Sequence, residues 1–476
     1  MRQTDSRTSQ VSQGKVINFL IVIFCVLGSM VTVPALGQSQ QAHGEGLLLR
    51  AAAEDLSILA ARYDLEVKRQ VRDDLWDVEA TEATDLDGLV AAMAGDLQVD
   101  AVERAALAAL PSDVAPAYAE TTLWQDIGAV GRSSAACGSD AEAWNGYADQ
   151  TASRLVAMRD AQRKSVTCGA VTVAVIDTGI DLGHPVLQGV LVPGYDFLLE
   201  SATASEWRAL DQSTQAILEE SLRAINDQST QAILEGHGVG LGVTGSSMVP
   251  ILAADQTSEV DGNDLPPFFG HGTMVAGLIH MVAPEARIMP LRTFDGHGMA
   301  SVNDVVAAIY YAVDHGAQVI NMSFSMADVS IELRRAVQYA RDRGVVSVSS
   351  AGNGGEQTLT YPAALPSVLG VASTELDDTL SEFSNYGNAL VDLAAPGAEV
   401  ISTYPGGLFA AGWGTSFSAP LVSGTVALLY DGLDGEGRMQ RQARQALRAG
   451  SDHIPELGGQ IGSGRLDAWA SVDAAD

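Results

Sequence analysis

The sequence predicts an α/β fold for its larger, second part, because apolar strands and apolar helices follow one another there. The runs at 171–176, 319–323 and 345–350 are mostly apolar and continuous rather than alternating, which is typical of buried strands. The segments that follow His271 and Ser416 are apolar along most of their length and predict buried helices.

Three of these elements carry a residue suited to nucleophilic catalysis. Asp177 ends the first strand in VIDTGID, His271 lies between two glycines in FGHGTMVAG, and Ser416 opens the helix in GWGTSFSAP. A nucleophilic serine needs a base to take its proton, and that base needs an acid to fix its tautomer. Asp, His and Ser in this chain order form one of the few known orders of that triad.

A fourth residue, Asn353, follows the strand at 345–350 in the glycine-rich turn AGNGG. Its amide is expected to donate a hydrogen bond to the oxyanion that forms when a serine attacks a carbonyl. The backbone N–H of Ser416, at the positive end of its predicted helix, is the expected second donor.

Other residues with similar surroundings are interpreted differently. His237 also lies between glycines, but no apolar helix follows it, so we predict a loop histidine. His184 precedes a proline and is also predicted in a loop. The segment around Ser416 lacks the G-x-S-x-G pattern of α/β-hydrolases, since a serine stands at 418.

Five segments, DTGID, HGTMVAG, VINMSFS, SSAGNGG and GTSFSAP, resemble the sequence blocks of subtilisin-like serine proteases (subtilases) in the same order. The resemblance covers roughly residues 171–472, apart from one insertion. It implies a three-layer α/β/α domain with a mostly parallel sheet. It also implies a serine endopeptidase with Asp177, His271 and Ser416 as triad and Asn353 as oxyanion donor; Asp181 is then not the catalytic acid.

The resemblance further implies where an extended substrate would bind. One edge, which pairs with the substrate backbone as an added strand, would consist of Ser323, Phe324 and Ser325. The family often has glycine where Ser325 stands, which leaves the shape of the specificity pocket open. The facing wall would consist of Ser349, Ser350, Ala351 and Gly352.

The amino-acid composition indicates which classes of partner the protein can bind. The formal net charge is −32 and only three lysines are present, which disfavours nucleic-acid binding because phosphates need clustered cations. Protein or peptide substrates are the expected partners. No cofactor is expected to be required; subtilases often bind calcium, but no carboxylates here have a ligand spacing that assigns a site.

The N-terminus, residues 1–37, is interpreted as an export signal. Arg2, Arg7 and Lys15 precede an apolar run at 16–33, and Ala35-Leu36-Gly37 has the pattern of a cleavage site. We therefore expect export, to the medium, periplasm or surface of a bacterial cell. The alternative is an uncleaved membrane anchor, since about 20 apolar residues span a bilayer.

Residues 38–111 are expected to form a small α+β domain, with helices at 51–61 and 86–94 and strands at 75–79 and 99–102. This order resembles a subtilase propeptide, which folds with the enzyme and blocks its cleft. The alternative is an unrelated interaction domain. Residues 112–150 are predicted to be a linker that contains the processing site, and 151–476 the catalytic domain.

Removal of the signal would leave two cysteines, Cys137 and Cys168, as a candidate disulfide in an exported protein. Neither has the spacing of a zinc site. If they are bonded and processing falls between them, the propeptide would stay tethered after cleavage.

An insertion at about 198–264 lengthens the chain between Asp177 and His271. It contains the repeat DQSTQAILE at 211–219 and 227–235, which indicates either a helical hairpin or a recent duplication. The segment is interpreted as a tolerated surface insertion, with a lid or partner-binding element as the alternative.

Two other functions stay open at this point. One is a subtilase fold used only for binding, with the cleft kept shut. The other is a different serine hydrolase, such as an esterase.

Overall fold

The computed structural model describes residues 46–81, 85–110, 130–132, 142–165, 169–212, 214–215, 248–250, 265–435 and 437–475. The predicted signal at 1–37, both candidate disulfide cysteines (Cys137 and Cys168), His237 and most of the repeated segment lie outside these residues.

The strands are β1 Gly46–Arg50, β2 Leu65–Arg72, β3 Leu75–Ala80, β4 Ala101–Arg104, β5 Leu107–Ala109, β6 Val130–Arg132, β7 Glu142–Trp144, β8 Thr172–Asp177, β9 Tyr195–Asp196, β10 Met248–Pro250, β11 Arg287–Arg292, β12 Met299–Ser301, β13 Val319–Met322, β14 Val346–Ser350, β15 Leu369–Thr374, β16 Leu393–Pro396, β17 Val400–Tyr404 and β18 Leu408–Gly412.

The helices are α1 Ala53–Tyr63, α2 Leu86–Ala94, α3 Asn145–Ala148, α4 Thr151–Leu155, α5 Met158–Lys164, α6 His271–Val282, α7 Val302–Asp314, α8 Ile331–Asp342, α9 Thr415–Leu429, α10 Met439–Gly450 and α11 Ala468–Ala475. Short 3₁₀ helices cover Glu206–Ala209, Tyr430–Gly432 and Pro455–Leu457.

The main sheet has seven strands in the order β16-β15-β14-β13-β8-β11-β9, and its paired strands run parallel. Strand β8, which lies inside the sheet, shows why helices cover both faces. Val173 and Val175 pack with the helices α6 and α9, whereas Ala174 and Ile176 pack with α7 and α8. The predicted three-layer α/β/α fold is therefore confirmed.

The strand register places the candidate functional residues at the same end of this sheet. Met322 of β13 pairs with Ile176 on one side and with Ser349 of β14 on the other. Asp177, Ser323 and Ser350 therefore emerge beside one another at the carboxyl ends of parallel strands, where open α/β sheets place their sites.

Side-chain caps explain where several helices begin. The side chain of Ser301 accepts a hydrogen bond from the N–H of Asn303 at the start of α7, and that of Ser330 accepts from Leu333 in α8. Helix α1 begins after Ala52, which has no capping side chain, and it runs two residues later than the sequence predicts.

The segment 46–110 forms a small α+β unit with its own antiparallel sheet, in the order β2-β3-β1-β4, and clusters with the large domain in one compact body. Helix α2 has the predicted bounds. Strand β4 starts two residues later than expected because residues 96–99 form a turn, in which the N–H of Val99 bonds to Asp96. Whether this unit is a propeptide stays a prediction.

Alternation along β1 gives the unit two contact faces. Leu47 and Leu49 are buried in its own core, whereas Leu48 points the other way and packs with the α7 and α8 cluster. Leu75 joins that same cluster. The small sheet therefore lies directly on the outer helices of the large domain.

Among the described residues, no helix combines the length and the apolar character needed to cross a membrane.

Candidate active site

Asp177 and His271 are in direct contact. His271 Nδ1 lies 2.7 Å from Asp177 Oδ1, and both side chains are buried. The same carboxylate oxygen accepts the backbone N–H of Thr178 at 2.8 Å. These contacts fix the carboxylate toward one ring nitrogen of His271, which leaves Nε2 as the nitrogen available to a substrate or nucleophile.

The turn into α6 allows this approach. Gly270 caps the helix with φ of +96°, a conformation that favours glycine. At Gly272, an added Cβ would lie 2.0 Å from the carbonyl oxygen of Gly179. Glycine at 272 therefore lets the His271 turn pack against the backbone that follows Asp177.

Ser416 lies in the first turn of α9, where unpaired N–H groups and the helix dipole favour negative charge. Its hydroxyl donates to the carbonyl of Ser323 at 3.1 Å, and the hydroxyl of Ser323 donates to the Ser416 carbonyl at 2.8 Å. The next residue, Phe417, holds its ring 5.6 Å from that of His271. The first turn of α9, which carries Ser416, therefore packs against His271.

A series of buried hydrogen bonds links the segment around Ser416 to β13. Ser423 donates to Asn321 at 2.8 Å, and Asn321 donates in turn to the hydroxyl of Ser323 at 2.9 Å. Because Ser323 also bonds Ser416, the first turn of α9 is tied to the end of β13. Asn321 and Ser423 were not predicted as part of the site, because each lies within an otherwise apolar strand or helix and no motif marks it.

Asn353 is fixed by its side-chain oxygen. Oδ1 accepts the backbone N–H of Thr415 at 3.0 Å and its hydroxyl at 2.8 Å. With both acceptor positions used, the orientation of the amide is set and its NH₂ group lies on the side of Gly414. Gly414 has φ of +144°, and an added Cβ would lie 3.0 Å from Asn353 Nδ2.

The residues expected to form the two walls also come together. Ser323 and Phe324 are fully buried, and Ser325 is partly buried. Ser350 donates to the Phe324 carbonyl at 3.5 Å, across the two strand ends. On the facing side, the thoroughly buried residues are Ser349, Ser350 and Ala351, and Gly352 bonds the hydroxyl of Thr415 through its N–H at 3.1 Å.

Strand β5, at the end of the small N-terminal unit, lies beside the candidate substrate-binding edge at Ser325. Ala109 and Ser325 exchange both backbone hydrogen bonds, at 3.2 and 3.0 Å. On its other side, β5 pairs antiparallel with β12, and the N–H of Leu110 bonds to Gly298 at 2.8 Å. The second edge, at 298–301, was missed by sequence reasoning because it has no strand-like apolar pattern.

A buried carboxylate, Glu206, was also missed. It is 0% exposed and lies behind Asp177 and His271, in the first part of the predicted insertion. Burial raises the pKa of Glu206 to about 7, and the nearby Asp177 adds to that rise. Glu206 could not be predicted as a site residue from one sequence, because it stands alone in a segment that contains no motif.

The residues that sequence reasoning set aside are engaged elsewhere. His184 lies in a loop, as predicted, and is buried there, with Nε2 3.0 Å from the carbonyl of Leu408. Burial lowers the pKa of His184. Asp181 accepts the N–H of Gly406 at 2.8 Å. Within the described ranges, no group of three or more His, Cys, Asp or Glu side chains could hold a metal ion.

Comparisons with known proteins identify the family of this chain. A family model described as the subtilase family matches residues 169–454. A thermophilic serine proteinase from Bacillus sp. (strain AK1) is 33% identical over 300 residues, which span 63% of this chain and 61% of that protein. Thermitase from Thermoactinomyces vulgaris is 32% identical over 300 residues, 63% of this chain and 88% of that protein.

A solved structure is similar in fold. The crystal structure of fervidolysin from Fervidobacterium pennivorans, described as a keratinolytic enzyme related to subtilisin, has a TM-score of 0.62 and 21% identity. The likeness covers 90% of this chain and 61% of that one.

Proposed function

Because this chain belongs to the subtilase family of serine proteases, we propose that it is an exported endopeptidase made as a propeptide-bearing precursor. The observation that carries the proposal is the 2.7 Å contact of His271 with Asp177, beside Ser416 at the start of α9. The substrates are proteins or peptides.

In the proposed reaction, Ser416 Oγ attacks the scissile carbonyl carbon while its proton moves to His271 Nε2. Asp177 keeps the tautomer and stabilises the imidazolium that results. The C–N bond then breaks as His271 gives the proton to the leaving amine. Water, activated by His271 in the same way, hydrolyses the acyl-enzyme and frees Ser416.

The oxyanion would be held by the N–H of Ser416 and by the NH₂ group of Asn353. Both donors are fixed before substrate arrives, since Thr415 holds the amide oxygen of Asn353. Preorganised donors are worth most when they need not move during the reaction.

The precursor part of the proposal is supported by the position of β5. This strand lies between the edge at 298–301 and Ser325, so it occupies the place that an extended substrate backbone would take. Residues 46–110 would then act as propeptide and inhibitor. The export part is supported by the charged and apolar pattern of residues 1–37.

The test is the intact mass of the expressed protein beside that of its Ser416→Ala variant. We expect the wild type to lose its N-terminal part while the variant keeps it. If both keep it, a binding function with a closed cleft is favoured, because β5 then stays in place.

If both lose it, another protease matures the chain, and hydrolysis is tested separately with a peptide amide and a simple ester. Turnover of the ester alone would favour an esterase. Retention of residues 16–33 in the wild-type mass would favour the membrane anchor over a cleaved signal.

A further inference from the structure

Glu206 joins the two segments that carry the acid and the base. Its Oε1 accepts the hydroxyl of Thr178 at 2.6 Å and the N–H of Gly270 at 2.7 Å. Its Oε2 accepts the N–H of Thr273 at 3.1 Å and also the hydroxyl of Thr273. Thr178 follows Asp177, and Gly270 and Thr273 flank His271, so one carboxylate holds both segments.

The hydroxyl of Thr178 links Glu206 to the catalytic acid. It lies 2.6 Å from Glu206 Oε1 and 3.3 Å from Asp177 Oδ1, so its proton goes to Glu206 when that group is ionised. A protonated Glu206 would itself donate, and the hydroxyl proton of Thr178 would then turn to Asp177. The protonation state of Glu206 therefore decides which of the two carboxylates receives the hydroxyl proton of Thr178.

The titratable and charged groups around Glu206 come from four other elements. They are Asp177 of β8, His271 of α6, Tyr404 of β17 and Arg292 of β11, whose Nε donates to the Thr178 carbonyl at 3.1 Å. Burial, with a smaller contribution from the nearby Glu206, raises the pKa of Tyr404.

We propose that Glu206 is a positioning residue whose carboxylate holds the turn that carries His271 against the strand end that carries Asp177. The inference rests on the proposed hydrolytic function, since it assigns a role within that site. With this role for Glu206, the start of the predicted insertion would contribute to the active site.

The test is Glu206→Gln, which keeps the size of the side chain and removes its charge. A Gln oxygen can accept from one pair of donors, but its NH₂ then faces donors that it cannot satisfy. We expect kcat to fall about 10- to 100-fold with KM nearly unchanged, the range for a displaced catalytic group. Glu200→Gln, at an exposed glutamate of the same segment, is the matched control.

The pH profile separates positioning from simple stabilisation. Because burial raises the pKa of Glu206 to about 7, the pH profile of wild-type kcat/KM should contain this titration, and Glu206→Gln should lose it. In the Ser416→Ala protein, the NMR signals of His271 should respond to the titration of Glu206, and Glu206→Gln should abolish that response. A pH profile and an NMR response that Glu206→Gln leaves unchanged, with only a lower melting temperature, would overturn the proposal.

The NMR titration needs no turnover, so it tests the inference even if the wild type hydrolyses nothing, an outcome that would count against the proposed function instead. If Glu206→Gln does not fold, Thr178→Val breaks the link to Asp177 with a smaller change. Loss of the same NMR response in this variant supports the inference, and an unchanged response contradicts it.

Discussion

Ala109 and Ser325 pair as neighbours in a sheet, exchanging both of their backbone hydrogen bonds although 216 residues separate them in sequence. The pair joins the last strand of the small unit to the edge where the family resemblance places substrate. Main-chain pairing of this kind depends on backbone N–H groups more than on side chains.

Ala109→Pro removes the N–H that donates to Ser325 and places a ring at the paired edge. We expect loss of the N-terminal part to slow at least about 10-fold, because the downstream chain is no longer held in register for attack. Intact mass followed against time measures the rate. Leu107→Ala is the control, since that side chain is 46% exposed and its N–H is kept. Equal rates in Ala109→Pro and wild type would contradict the prediction.

Asn353→Asp keeps the oxygen that accepts from Thr415 and removes the amide donor. We expect kcat on a peptide substrate to fall about 100- to 1,000-fold with little change in KM, a magnitude known from a subtilisin. Asn353→Leu, which also loses the bond to Thr415, should in addition melt at lower temperature. A kcat within about threefold of wild type in the Asp variant would remove Asn353 from the oxyanion site.

Glu103 of β4 caps helix α8 from the neighbouring unit. Its carboxylate accepts the N–H groups of Ile331 and Glu332, at 2.8 and 3.1 Å, and the hydroxyl of Ser330. In the Ser416→Ala precursor, Glu103→Gln should cost about 1 kcal/mol, because a charge at a helix N-terminus is lost.

Thermal unfolding of the precursor measures the effect of Glu103→Gln, and Glu66→Gln, whose side chain is 63% exposed, serves as the control. The difference between the two variants should shrink in 1 M salt, which screens the interaction. A Glu103→Gln precursor as stable as the control at low salt would refute the capping role.

His280 of α6 is buried, and burial lowers its pKa to about 4. The unfolded chain therefore binds more protons than the folded one between about pH 6.5 and 4, and stability is lost as pH falls through that window. His280→Leu removes this loss. Between pH 7 and pH 4, the free energy of unfolding of the wild type should therefore fall by about 3 kcal/mol more than that of His280→Leu.

Urea unfolding of Ser416→Ala proteins at several pH values gives these free energies. His297→Leu, at an exposed histidine, controls for the loss of an imidazole. A His280→Leu protein that loses stability with acid as steeply as wild type would show that His280 does not contribute.

The triad could be predicted because each member sits in a short local motif. Asp177, His271 and Ser416 each follow a strand or open a helix whose apolar pattern is readable in one sequence. The strands and helices followed from the same continuous apolar runs, whereas the three-layer arrangement was implied by the resemblance to subtilases. The catalytic roles of these residues stay proposals.

Glu206 could not be predicted, because its partners Thr178 and Gly270 lie in other segments and only the fold makes them neighbours. The same holds for the edge at Gly298, whose pairing with Leu110 depends on contacts between distant parts of the chain. Long-range pairing of backbone groups leaves no periodic trace in the residues that make it.

Strand β5 and its cleft belong to one covalent chain, so they meet at an effective concentration of the order of millimolar. Any competing peptide must exceed that concentration or bind much more tightly. If the connection is cut as proposed, the strand competes only at its actual concentration in solution. Dilution would then favour an open cleft, so, if the protein is exported as proposed, a crowded secretory compartment and the surrounding medium would give the same molecule different activities.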